Sequence, residues 1–271
     1  MMTSNAQPSG ESDTVSEHEF FDVQVDNYVA TVKMQRAPVN AQTQAFREQC
    51  IAVFEELGER DDVRAIILTG NGKVFSAGAD LKDRADRSIP GAYRKHNRTV
   101  RDGFDAILSC PKPTIAAIDG PAIAAGFVLA SVCDILICSE SSWISMPEVE
   151  VGLAGGVRHI LRHFPASDAR LAMFTARRFS GAELLRMNVV SACVPDAELL
   201  TEAHTIADQI VANAPLAVAA AKRSFLVGEE LSVHTGYSYE QGQTYVLSES
   251  HDFAEARKAL VEKRRPKFEG R

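Results

Sequence analysis

Apolar and polar residues alternate with a period of two over residues 21–34, which predicts a half-exposed strand, antiparallel or at a sheet edge. Arg36-Ala37-Pro38-Val39-Asn40-Ala41 breaks the alternation before a helical pattern over 43–57. Arg64-Ala65-Ile66-Ile67-Leu68-Thr69-Gly70 is a continuous apolar run and predicts a buried strand, closed by the turn signal Asn71-Gly72. A polar stretch over 82–88 and the loop pair Pro90-Gly91 lead to a helical pattern over 93–108, the part of the chain expected to be most mobile. A buried strand at 114–118, a turn at Gly120-Pro121, a helix of small and apolar residues at 124–132 and a strand at 134–138 follow. After a late strand at 189–194 the pattern is helical, over 199–213, 215–226, 230–248 and 253–263. Strands alternating with helices indicate crossover connections and an α/β class. The long helical tail implies a second layer, used for oligomer contacts or for closing a site.

Two stretches of small residues follow strand signals. Phe75-Ser76-Ala77-Gly78-Ala79-Asp80-Leu81-Lys82 lacks large side chains where the chain turns, so a backbone N–H there can meet a ligand oxygen unobstructed. Ala-Gly-Ala alone would be an ordinary strand-to-helix turn; the full octet is more specific. Asp119-Gly120-Pro121-Ala122-Ile123-Ala124-Ala125-Gly126 repeats the theme, with a helix start near Ala124 that leaves its first N–H groups without intrahelical partners. One N–H from each turn, on adjacent strand ends, would hold a developing enolate or tetrahedral oxyanion.

Composition narrows the partners. The chain of 271 residues carries a formal charge of -7 and 45% hydrophobic residues, which fits a soluble globular protein and argues against nucleic acid as the main partner. Basic residues gather at Lys82, Arg84 and Arg87, at Arg94, Lys95 and Arg98, and at Lys263, Arg264, Arg265 and Lys267; each group is by default a solvated face. Five cysteines without C-x-x-C spacing read as buried free thiols in a reducing, cytoplasmic compartment. Residues 1–17 resemble neither a signal nor a transit peptide and are expected to be a disordered tail. The longest apolar run, 114–133, is interrupted by Asp119-Gly120-Pro121, so no membrane span is expected.

A third element is Ile144-Ser145-Met146-Pro147-Glu148-Val149-Glu150-Val151-Gly152-Leu153-Ala154-Gly155-Gly156. A carboxylate in this apolar, glycine-rich setting would be desolvated, its pKa raised and its proton affinity suited to a carbon acid. In an extended segment Glu148 and Glu150 would point to opposite faces, leaving one of them in solvent. His159 and His163 have the i, i+4 spacing of a metal pair, but no third ligand is evident, and a solvated helix face is the better reading. His96, in the mobile region, is a minor candidate for a second acid–base group, and Cys133 reads as core.

Together the octet, the strand-turn-helix from Lys112 through Asp119-Gly120 to Asp134, and Pro147-Glu148 with Gly152-Leu153 resemble the crotonase superfamily of enoyl-CoA hydratases and isomerases. The resemblance runs from about residue 20 to 270 and takes in Pro38-Val39-Asn40-Ala41 and the closing Glu262-Lys263-Arg264-Arg265-Pro266-Lys267-Phe268. It implies a spiral core of ββα units over 18–197, a helical oligomerisation region over 198–271 and a homotrimer or dimer of trimers. It implies an acyl-CoA substrate, with CoA as part of the substrate and neither metal nor separate cofactor. Ala79 and Ala125 would supply the oxyanion-hole N–H groups, and Glu148 the acid–base group. Val39, Ala41, Ala77, Asp80 and Leu81 would line the CoA path, with Lys82 and the C-terminal basic group near the phosphates.

The sequence departs from the family pattern in one respect that bears on the reaction. Hydratases of the family use two glutamates; one matches Glu148, and Val128 stands in the place of the other. Dienoyl isomerases carry acids at the positions of Val128 and Gly156, and both are missing. One carboxylate with an oxyanion hole resembles the single-glutamate enoyl-CoA isomerases. The alternatives are a hydratase with a substitute acid, a thioesterase or lyase, and a non-catalytic acyl-CoA-binding protein.

Overall fold

The computed structural model describes residues 18–83 and 85–271, so the expected tail at 1–17 and Arg84 of the first basic group lie outside the described residues. The strands, in chain order, are β1 (Phe21–Asp26), β2 (Val29–Met34), β3 (Ala65–Thr69), β4 (Thr114–Ile118), β5 (Ala122–Ile123), β6 (Ile135–Ser139), β7 (Trp143–Ser145), β8 (Phe179–Ser180) and β9 (Ala192–Val194). Six of them form a sheet in the order β1-β2-β3-β4-β6-β9, parallel except for the first pair, and β5-β7-β8 form a second, small sheet.

Residues 21–34 are a hairpin, where the alternation predicts a single strand. Asp26 lies opposite Val29, and Asn27 and Tyr28 make the turn between them at φ 49° and 66°. Two successive left-handed residues give the tight turn that matches strand twist. Tyr28 lacks the glycine that usually marks such a turn, so the sequence shows no break.

The parallel strands are apolar throughout because both faces of the sheet are covered. Ile66 and Leu68 of β3 and Ala116 and Ile118 of β4 face a core shared with Phe46, Val53, Phe54 and Leu57 of helix α1 (Gln44–Glu59) and Phe127 of helix α3. Helix α2 (Ala92–Leu108) packs on α1, and α3 spans Ala125–Ser131. Three short helices that the pattern did not reveal follow: α4 (Val157–Ile160), α5 (Ala166–Thr175) and α6 (Gly181–Arg186). On the opposite face of the sheet, Ile67, Ile115, Ala117 and Ile137 pack against Leu199, Ala203 and Ala207 of α7 (Leu199–Val211).

The helical region continues as α8 (Pro215–Gly228), α9 (Val233–Leu247) and α10 (His251–Glu262). It leaves large apolar side chains in solvent, among them Phe225 at 76% and Val233 at 91% exposure. The chain end turns back on α10, where the Asp252 carboxylate accepts from the N–H groups of Glu269 and Gly270 at 2.8 and 2.9 Å. No single helix among the described residues is long and apolar enough to cross a membrane. Cys50, Cys110, Cys133, Cys138 and Cys193 are free thiols, the first four buried.

Candidate active site

The first small-residue turn is zipped to its neighbours through the main chain. Ala77 N–H donates to Val39 C=O at 2.9 Å, Gln42 N–H to Gly78 C=O at 2.8 Å, and Asp80 N–H to Gln42 C=O at 3.0 Å. Residues 39–42 thus run parallel beside 77–80, bridged at Gln42 and Ala79. The bridge uses the polar groups on either side of Ala79, so Ala79's own N–H faces away from it, and that N–H has no acceptor among the described residues. Asn40 locks the turn from beneath: its Nδ2 donates to Phe75 C=O at 3.0 Å, and its carbonyl accepts from Ser76 Oγ at 2.7 Å.

The second turn lies against the first. Ser76 N–H donates to Pro121 C=O at 3.3 Å, and Ile123 N–H to Ser76 C=O at 2.9 Å. The approach is so close that a Cβ on Gly126 would overlap the Ser76 carbonyl, while one on Gly78 would lie 2.7 Å from Ile123 O and 3.2 Å from Ala125 N. Gly78, at φ 86°, therefore meets both a conformational and a spatial need for glycine. Ala124 takes φ 52° and ψ -125°, and its N–H donates to Ser145 C=O at 2.9 Å. Helix α3 starts at Ala125, whose N–H has no acceptor among the described residues. The sequence expects this helix to start near Ala124; the short strand β5 delays it by one residue.

The acid segment corrects an expectation. Pro147–Val151 is a 3₁₀ turn, where the sequence reads as extended. Glu148 nonetheless points inward and Glu150 outward, because residues two apart on a threefold helix also face different ways. Glu148 Oε2 is buried without a hydrogen-bond partner among the described residues. Burial pushes its carboxyl pKa above the usual glutamate range, against the smaller opposite effect of its own backbone N–H. A Cβ placed on Gly156 would lie 3.4 Å from Val128 Cγ2 and 3.9 Å from Glu148 Oε1. Of the two positions where acids are missing, Gly156 lies beside Glu148 and Val128 lies beside Gly156. Val128 stands three residues after Ala125, on the same face of α3.

The expected CoA-path residues sit around the first turn. Val39, Ala41 and Ala77 are half-buried, Leu81 is 63% exposed and Lys82 is exposed. Asp80 is already engaged: its carboxylate accepts from Lys82 N–H at 3.0 Å and pairs with Arg36 at 2.9 Å, and these contacts hold its pKa below the usual range. In the C-terminal basic group, Arg264 is committed to Glu255 and Glu262. His96 faces Arg47 and Asp83; burial first, then the Arg47 guanidinium, hold it below the usual imidazole range. His163 does not belong to a solvated helix face. α4 ends at Ile160, and His163 Nε2 is 2.8 Å from Ser131 C=O at the end of α3, where Arg162 Nε also donates at 3.1 Å. Among the described residues no group of three or more His, Cys, Asp or Glu side chains is placed to hold a metal ion. A cleft of about 760 Å³ lies between α8 and α9, lined by Phe225, Leu231, Val233 and Tyr237 together with Glu229 and Glu240; Glu148 is not part of it.

A family model, enoyl-CoA hydratase/isomerase, matches residues 24–271. The chain belongs to the enoyl-CoA hydratase/isomerase family. Among curated members, it is 35% identical over 211 residues to a probable mitochondrial enoyl-CoA hydratase from Dictyostelium discoideum, covering 77% of this chain and 75% of the relative. It is 36% identical over 225 residues to carnitinyl-CoA dehydratase from Salmonella enteritidis, covering 79% and 85% of the two chains. The crystal structure of an enoyl-CoA hydratase from Bacillus anthracis superposes with a TM-score of 0.88 at 30% identity, over 93% of this chain and 100% of that one. The crotonase-type fold with a C-terminal helical region and the assignment to acyl-CoA-processing enzymes therefore stand. Sequence reasoning for this family member missed Gln42 and Arg36, which brace the first turn. Neither lies in an apolar pattern, and no local signal announces that Gln42 is buried.

Proposed function

We propose that this enzyme shifts the double bond of an enoyl-CoA thioester with Glu148 as its single proton carrier. Glu148 takes the C2 proton of a 3-enoyl thioester, and the electron pair moves onto the thioester oxygen, held by the N–H groups of Ala79 and Ala125. The enolate collapses as the same carboxyl returns the proton at C4. A C2=C3 double bond replaces C3=C4, no water is added, and no cofactor beyond the CoA of the substrate takes part. The observation that carries this reading is the Glu148 carboxyl, whose Oε2 is buried without a partner among the described residues, with Gly156 beside it and Val128 beside Gly156 in place of acids. Val39, Ala41, Ala77, Asp80, Leu81 and Lys82 are proposed to line the CoA path. The apolar surface of α8–α10 supports assembly as a trimer or dimer of trimers.

Deuterium exchange at C2 across a panel of acyl-CoA thioesters tests the chemistry. Wild type is expected to exchange, at a rate that rises with pH through a pKa above that of an ordinary glutamate. Glu148→Gln is expected to lose about 10²–10⁴-fold in rate while still binding the ester. Exchange undiminished in the variant sinks the assignment.

A second reading, hydration or its reverse with a substitute acid, is favoured by the names of the relatives, a probable hydratase and a dehydratase. Water addition to crotonyl-CoA by purified enzyme would establish it and overturn the argument from Val128.

A further inference from the structure

We infer that Gln42 is a positioning residue that holds the two halves of the oxyanion hole in register; this rests on assigning Ala79 and Ala125 to that hole. Its backbone belongs to the first turn, where its N–H and C=O pair with Gly78 and Asp80 on either side of Ala79. Its side chain belongs to the second, where Nε2 donates to Ala125 C=O at 2.8 Å. Gln42 thus adds a side-chain link close to both N–H groups to the backbone links that Ser76 makes between the turns.

The side-chain bond acts at a strained place. Ala124 holds φ 52° and ψ -125°, a conformation that glycine alone adopts freely. The peptide carrying the Ala125 N–H is held through its own Ala124 C=O, which accepts from Val128 N–H at 3.1 Å, and on either side by Ala124 N–H donating to Ser145 C=O and Gln42 Nε2 donating to Ala125 C=O. Without the Gln42 bond one restraint on the strained Ala124–Ala125 segment is lost, and the Ala125 N–H is expected to be held less firmly toward the thioester oxygen. The choice of glutamine itself points to the site rather than to the core. Gln42 is 1% exposed, and its Oε1 is buried with no partner among the described residues. A buried amide with an orphaned oxygen weakens folding, so an apolar residue of similar length would serve the core better. Activity and stability are therefore expected to part company at this position.

The test compares wild type with Gln42→Leu and Gln42→Met, two apolar replacements of similar size. The infrared stretch of butyryl-CoA labelled with ¹³C at the thioester carbonyl reports polarisation of the bound carbonyl, and is read beside ester affinity, melting temperature and C2 exchange. Wild type is expected to move the stretch to lower frequency. In at least one variant that shift should be halved or more and exchange should fall roughly 10–100-fold, with affinity within about threefold and the melting temperature equal or higher. Full wild-type shift and exchange in both variants overturns the role of Gln42, as does a parallel loss of melting temperature and rate with the shift intact. If wild type shows no shift at all, the assignment of the hole to Ala79 and Ala125 fails first, and the role of Gln42 with it.

Discussion

The paired turns around Ala79 and Ala125 and the acid segment around Glu148 meet at α3, but they are built from different materials. In the turns the main chain does the positioning: backbone hydrogen bonds join 39–42 to 77–80 and Ser76 to residues 121 and 123, and Gly78 and Gly126 have no room for a methyl group. The acid segment is a short 3₁₀ turn with Val149, Val151 and Leu153 exposed, open space around Gly152, and one inward carboxylate whose Oε2 is unpaired. The proposed thioester site thus rests on features that tolerate little change, and the proposed proton transfer on the surroundings of one side chain.

Gly126→Ala is the most severe way to try to break this contrast. The added methyl would overlap the Ser76 carbonyl, which is itself fixed by Ile123 N–H. Denaturant unfolding is expected to show a loss on the order of 3 kcal/mol, the upper part of the range for overpacked sites, together with loss of acyl-CoA binding. A variant with wild-type stability and affinity would mean that the turns are as adaptable as the acid segment.

A smaller effect separates two half-buried acids, Asp119 and Glu148. Asp119 ends β4 beside the second turn, and its Oδ1 accepts from Gly70 N–H at 3.2 Å. Burial raises its pKa from 3.8 to about 6, the backbone hydrogen bonds opposing only in part. Between those values the folded protein holds more protons than the unfolded chain, so this group's contribution falls as pH rises through the window and is lost above about 6. Asp119→Asn does not ionise, so its stability relative to wild type is expected to improve by on the order of 2 kcal/mol between pH 4 and 7. C2 exchange should keep its pH dependence, because Asp119 braces a turn whereas Glu148 is the proposed proton carrier. An unchanged stability difference across that window would show that Asp119 ionises as freely as in the unfolded chain.

The central sheet was legible because β3, β4 and β6 are apolar on both faces, and the turns were legible because small residues follow strands at fixed spacing. The hairpin at Asn27-Tyr28 was not, since a tyrosine at positive φ gives no turn signal. The second sheet was also hidden: β5, β7 and β8 have two or three residues each, too few to show a period. At the site, the inward direction of Glu148 was anticipated from an extended segment that is in fact a 3₁₀ turn, so a sound result came from the wrong geometry. Gln42 was missed because its burial comes from three segments brought together, Gly78-Asp80, Ala125 and its own loop, and none of them is near it in the pattern of the chain.

The finest test uses the neighbour of Gly126. Ala124 already bears a methyl group at φ 52° and ψ -125°, where an L residue is strained. Glycine would relieve that strain, of order 1–3 kcal/mol, but would loosen the unfolded chain by roughly 0.4–1 kcal/mol. Ala124→Gly is therefore expected to stabilise the protein by about 1 kcal/mol, read by denaturant unfolding. Its activity should change by less than about twofold, because Ser145 and Gln42 still hold the peptide on both sides. A methyl group would then be unfavourable at both positions of one turn, at 126 for lack of space and at 124 for reasons of backbone conformation. A loss of stability in Ala124→Gly would mean that the Ala124 methyl contributes more through packing than its conformation costs, and that the second turn is held by side chains as well as by its backbone.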